Sequence, residues 1–148
     1  MDCQLIIASD HGGYDLKVEL VSMLGKKGFN LTDIGTYSSE SCDYPDFACE
    51  VGKRVGNGEF KRGIVICTSG IGVSICANKA KGARAALCLN KDQAKFSRLH
   101  NNANVLALGA KYLTVDQAFE ICETWLSTDF EGGRHERRIN KISEFEGQ

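Results

Sequence analysis

GIVICTSGIGVSICANK, residues 63–79, decides how the rest of the chain is read. GIVIC (63–67) is a continuous apolar run ending in Cys67 and the strongest strand in the sequence. A short turn bearing Gly70 and Gly72 follows at once. Residues 73–79 then read as a helix, with Gly82 as its stop. A buried strand passing through a glycine turn into a helix is the repeating unit of a parallel α/β sheet.

The same alternation runs outward in both directions. QLIIA (4–8) is an apolar strand, and residues 14–26 carry Leu16, Leu20 and Leu24 at helical spacing. LTDIG (31–35) is a weaker strand, and Pro45 suits the first turn of a helix reaching about Val55. Downstream, ARAALCL (83–89) and NVLALG (104–109) are strands separated by a polar helix over 92–99. Residues 114–127 form an amphipathic helix, with Ala118, Ile121, Cys122, Trp125 and Leu126 on its apolar stripe. A last basic helix at about 134–146 carries Ile139, Ile142 and Phe145. This pattern predicts one α/β domain over 1–148, with a mostly parallel sheet of about five strands and helices on both faces. Right-handed crossovers would bring SDHGG (9–13), CTSGIG (67–72) and GAK (109–111) to one carboxyl edge.

Composition narrows the function. A formal charge of −1 argues against broad electrostatic binding to nucleic acid or an anionic membrane. No apolar run approaches the roughly 20 residues that span a bilayer. The N-terminus has no basic segment ahead of its apolar run, so no signal peptide is expected and the cytoplasm is the expected compartment. Seven cysteines contain no C-x-x-C pair, and three histidines lie far apart in sequence, so no zinc-finger or zinc-ribbon spacing exists. Cys76, Cys88 and Cys122 read as small hydrophobes.

The turn after Cys67 imitates three phosphate-binding loops and matches none. A dinucleotide fingerprint needs glycine where Ile75 stands, a P-loop needs a lysine spacing that is missing, and a phosphatase loop needs arginine where Val73 stands. What remains is a thiol at the end of a buried strand beside a helix start. Free N–H groups and the helix dipole there would favour the thiolate. Gly70 and Gly72 permit close approach of backbone to a ligand, and Ser69 and Ser74 add hydroxyls. From the pattern alone, a core thiol and an acid–base thiol fit equally. Asp10 and His11 open a glycine loop, as either an Asx turn with a solvated histidine or an acid–base pair. His100 in HNNAN (100–104) is either a polar loop residue or a general acid. Arg134 and Arg138, four apart, make either a solvated basic face or a fork for one phosphate.

SDHGG, DYPDFA, GIVICTSGIGVSICANK, GARAALC, HNNANVLALG and FEGGRHERR, in this order, closely resemble the type B ribose-5-phosphate isomerases, a group that includes galactose-6-phosphate and allose-6-phosphate isomerases. The resemblance covers nearly the whole chain. It implies a Rossmann-like three-layer fold and a homodimer or homotetramer with sites between subunits, to which the C-terminal helix contributes. It also implies interconversion of ribose 5-phosphate and ribulose 5-phosphate in the pentose phosphate pathway, without metal or organic cofactor. By the same resemblance Cys67 is the base, and Asp10 and His100 open the furanose ring. Ser69 and the amides of Gly70, Ile71 and Gly72 would stabilise the enediolate. His11, Lys111, Arg134 and Arg138 would hold phosphate, with Tyr44, Ser74, Asn78 and Asn101 as further substrate contacts. Two positions depart from the usual pattern: Thr68 replaces a glycine, and Lys111 stands where an arginine is frequent. The rival readings are a six-carbon sugar-phosphate isomerase and a catalytically silent sugar-phosphate regulator.

Overall fold

The computed structural model describes residues 4–147. Five parallel strands stand in the order β2-β1-β3-β5-β4, where β1 is Gln4–Ser9, β2 Asn30–Asp33, β3 Arg62–Cys67, β4 Ala85–Leu87 and β5 Val105–Gly109. The helices are α1 Tyr14–Lys26, α2 Tyr44–Gly56, α3 Ile71–Asn78, α4 Lys91–Asn101, α5 Val115–Ser127 and α6 Arg134–Glu146.

Apart from Gln4, Ser9 and Arg62 at their ends, the three central strands are apolar because both of their faces are covered. Ile64, Ile66, Leu106 and Leu108 face α1, α4 and α5, where Leu20, Ala94, Ile121 and Trp125 complete one core. Val65, Cys67, Val105 and Ala107 face α2 and α3, meeting Ala48, Val51, Val73 and Ala77. The three-layer expectation therefore holds. Edge strands are less buried, and β4 keeps only three half-buried residues of the seven expected at 83–89. α3 begins at Ile71, two residues earlier than its composition suggests, because Gly70 takes φ +78° and turns the chain directly into the helix.

Helix starts follow their local chemistry. Pro45 lies in the first turn of α2. Asn90 caps α4 by accepting from Gln93 N–H at 2.8 Å, and Thr114 and Gln117 form a reciprocal capping box on α5. The terminal helix expected at about 134–146 is α6.

The strand order reverses between β1 and β3: the chain leaves β1 towards β2 on one side and later builds β3, β5 and β4 on the other. Such a switch point opens a crevice at the carboxyl ends of the two strands. Asp10 follows β1 and Cys67 ends β3, so the topology sets both residues at that crevice. Among the described residues, no helix is long and apolar enough to cross a membrane.

Candidate active site

A cleft of about 470 Å³ opens at the switch point, lined by Asp10, His11, Tyr44, Cys67, Ser69 and Gly72, among others. Cys67 is buried at the end of β3, and its Sγ accepts the Gly70 N–H at 3.2 Å. The Ile71 N–H donates to Ser69 Oγ at 3.2 Å, so the turn folds around its own sulfur and hydroxyl. That fold demands glycine. A Cβ at Gly70 would stand 2.8 Å from Gly109 N and 2.9 Å from Leu108 C. One at Gly72 would stand 2.7 Å from the Tyr44 ring, which walls the cleft from α2. Ser74 lies half-buried in the first turn of α3.

Asp10 is buried, and its carboxylate accepts the Gly13 N–H at 3.2 Å, capping a short 3-10 turn over His11–Gly13. His11 is exposed beside Cys42, whose N–H donates to His11 Nδ1 at 3.1 Å. The same Nδ1 lies 3.2 Å from the Cys42 carbonyl oxygen, so the tautomer decides which of the two contacts is the hydrogen bond. Lys17 holds the start of the chain that leads from β2 to Cys42. This buried ammonium donates to Asp33 Oδ1 at 2.6 Å and to the Thr36 carbonyl at 2.7 Å. Thr68, one of the departures, packs its hydroxyl against Gly12. Lys111 donates its N–H to the Thr68 carbonyl at 3.0 Å. Its side chain lines a neighbouring cavity of about 640 Å³ behind Thr68.

The remaining candidates lie elsewhere in the chain. α4 returns from the carboxyl edge, so His100 and Asn101 at its end reach the amino edge, just ahead of β5. Gly63, at the amino end of β3, pairs with Val105, and Cys67 pairs with Gly109. Four strand steps of about 3.3 Å therefore put the start of β5 roughly 13 Å from the level of Cys67. Arg134 and Arg138 are exposed on α6, which packs against α4. Asn78 also falls at the amino edge. Its amide brackets β4, donating to the Ala85 carbonyl at 3.0 Å and accepting the Ala85 N–H at 2.8 Å.

His100 and His135, distant in sequence, stack with ring centroids 4.2 Å apart and planes 14° apart. Each Nε2 lies 3.8 Å from Glu131 Oε2. Burial first, then the neighbouring His100 and Arg134, holds the His135 imidazole below its ordinary pKa, against the pull of Glu131. The ligand atoms of His100, Glu131 and His135 lie within 4.8 Å of one another. A metal must sit in the plane of each imidazole it binds. Near-parallel stacked rings therefore cannot share one ion without a rotation of His100. Sequence reading missed this cluster, although His135 stands inside the quoted FEGGRHERR motif. It also missed Cys42 as the neighbour of His11.

Burial raises the Cys88 thiol to about 11 and pushes Cys122 up further, as expected for thiols serving as small hydrophobes.

An α/β sheet with a thiol, a carboxylate and an imidazole at its switch point defines an acid–base site for a small ligand. The sequence model of the ribose/galactose isomerase family matches residues 5–142. Ribose-5-phosphate isomerase B of Escherichia coli is 42% identical over 143 residues, covering 97% of this chain and 96% of that protein. The structure of ribose-5-phosphate isomerase B from Clostridium thermocellum superposes with a TM-score of 0.95 at 51% identity, covering 97% of both chains. The Mycoplasma genitalium enzyme, solved with bound ribulose 5-phosphate, has a TM-score of 0.95 at 43% identity and covers 100% of this chain and 99% of its own. The chain belongs to the ribose/galactose isomerase family and is an isomerase.

Proposed function

We propose that the chain interconverts D-ribose 5-phosphate and D-ribulose 5-phosphate in the cytoplasm, as a step of the pentose phosphate pathway. The observation that carries this reading is the meeting of Cys67, Asp10, His11 and Ser69 in one cleft, in a chain so similar to an enzyme solved with ribulose 5-phosphate. The furanose must first open: Asp10 takes the proton from the anomeric hydroxyl while His100 donates one to the ring oxygen. The Cys67 thiolate removes the C2 proton to give a cis-enediolate and returns it to C1, while a proton passes from O2 to O1, leaving the ketose. Helix N-terminal amides and Ser69 stabilise the developing oxyanion. His11, Lys111, Arg134 and Arg138 grip the phosphate, which supplies binding energy remote from the reacting carbons. Tyr44, Ser74, Asn78 and Asn101 complete the sugar contacts.

In this reading the site is shared between two copies of the chain. His100, Asn78, Asn101 and the α6 arginines lie at the opposite edge of the sheet from Cys67, so a second subunit supplies them. Exposed Ile71 and Ile75 on α3, with Ile142 and Phe145 on α6, offer the apolar surface for a homodimer, with further pairing to a tetramer open.

Mixed dimers test the sharing. Cys67→Ala and His100→Asn should each lower kcat by about 10²–10⁴-fold. Co-refolding the two in equal amounts should restore about a quarter of wild-type activity, since half of the dimers then hold one intact site of two. No recovery, with mixed dimers demonstrated by mass spectrometry, refutes the shared site. Normal turnover of ribose 5-phosphate by Cys67→Ala refutes the base.

A further inference from the structure

We propose that Cys49 and Cys76 form a peroxide-oxidisable pair on the seam between α2 and α3, outside the cleft. The two helices leave the same edge of the sheet and run side by side, and three close approaches fix their register. A Cβ on Gly72 would lie 2.7 Å from the Tyr44 ring, and one on Gly52 would lie 2.7 Å from the Ala77 carbonyl oxygen and 2.9 Å from Ala77 Cα. Further along, Gly56 lies against the Lys81 carbonyl. Cys49 falls between Tyr44 and Gly52, and Cys76 falls between Gly72 and Ala77, so this register sets the two cysteines opposite one another. With the helix backbones this close, the Cα separation a disulfide needs, about 4.4–6.8 Å, is within reach.

The side chains agree with the register. Cys49 is exposed and Cys76 partly exposed, and both thiols are free. Burial raises the Cys76 thiol to about 11, the neighbouring Cys49 adds to that rise, and the Cys67 sulfur gives a smaller push. Cys76 therefore keeps its proton at neutral pH, and the solvent-facing Cys49 is the sulfur that meets oxidant first.

The chemistry balances with hydrogen peroxide as the oxidant. Cys49 releases its proton to solvent, its thiolate attacks one peroxide oxygen, and the O–O bond breaks; the departing hydroxide takes a proton back from solvent as water, leaving a sulfenic acid. The Cys76 sulfur then attacks the Cys49 sulfur. The S–O bond breaks, and the hydroxyl leaves with the Cys76 proton as a second water. Both sulfurs end oxidised in one disulfide, and the peroxide is reduced to two waters. The bond would tie the helix carrying Tyr44 to the helix carrying Gly72, fixing one wall of the cleft.

Peptide mapping by mass spectrometry tests the pair. The reduced full-length protein is treated with hydrogen peroxide, alkylated and digested without reductant. A linked Cys49–Cys76 peptide that disappears on dithiothreitol treatment is expected. Cys49→Ser, a change at an exposed position, should give no link and leave Cys76 open to alkylation. Recovery of both cysteines fully alkylated from oxidised wild type overturns the proposal. So does a bond joining Cys76 to Cys67, or over-oxidation of Cys49 with no link formed.

Discussion

The carboxyl-edge cleft and the amino-edge cluster are built by different means. The cleft is backbone architecture: Gly70 turns at φ +78°, its N–H rests on Cys67 Sγ, and Gly12, Gly72 and Gly109 press against Thr68, Tyr44 and Ser69 with no room for a Cβ. The cluster is side-chain architecture, in which His100 stacks on His135 beside Glu131 while Arg134 and Arg138 stand in solvent. A site assembled on strand ends and a turn is held by the whole sheet. One assembled from helix-borne side chains is held by packing and charge. Backbone changes should therefore injure the first region, and charge changes the second.

The sharpest test of the first half is Gly70→Ala. The new methyl meets backbone atoms that cannot swing away, in a conformation that L residues rarely adopt. We expect a stability loss of about 2–4 kcal/mol. For the folded fraction, kcat should fall about 10²-fold as the amide on Cys67 shifts. Gly58→Ala is the control. Its φ is +85°, but nothing lies within 4 Å of the added carbon, so the cost should be about 1 kcal/mol with kcat intact. Urea unfolding and steady-state kinetics on both variants decide, and equal kcat values would show that the turn's geometry is not what the site depends on.

How much of this was legible in the sequence follows the same division. GIVIC and NVLALG announced central strands because burial on both faces makes them apolar throughout, and the glycine turn between β3 and α3 announced the crevice. ARAALCL misled because an edge strand ends once its neighbour stops pairing: the Leu87 pairing with Ala107 is the last, so Cys88 and Leu89 continue the apolar run outside the strand. Asp10 and Cys67 could be placed together from chirality rules alone. The His100–His135 stack could not, since it arises where α4 and α6 pack, and no local periodicity records which turns of two distant helices meet. The separation of Cys67 from His100 was legible in outline, because His100 falls between a helix and the start of a parallel strand, which is the amino edge of the sheet.

Arg138→Ala tests charge in the second half. Losing a guanidinium that pairs with phosphate should raise KM for ribose 5-phosphate about 10–100-fold, as for a charged hydrogen bond worth roughly 1.5–3 kcal/mol. The affinity for unphosphorylated ribose should stay as it is. The two substrates measured side by side separate the outcomes: an equal loss on both removes Arg138 from the phosphate grip.

The smallest effect expected is on pH dependence, and it comes from His135. Its folded pKa lies below the ordinary value of 6.5, so as pH falls through 6.5 the unfolded chain takes up the proton first. Stability then rises with pH in this window, and is lost on acidification until the folded pKa is reached. The groups around the ring pull in both directions: His100, Arg134 and Arg138 oppose its protonation, and Glu131 favours it. His135→Phe keeps an aromatic surface under His100 and removes the proton site. Its melting temperature should match wild type near about pH 8 and fall less than wild type between about pH 7 and about pH 5. An unchanged acid slope would place the titration elsewhere and leave the stacked pair a matter of packing alone. A shallower slope with unaltered kcat at neutral pH would instead show that the buried ring supports its neighbour without entering the proton transfers.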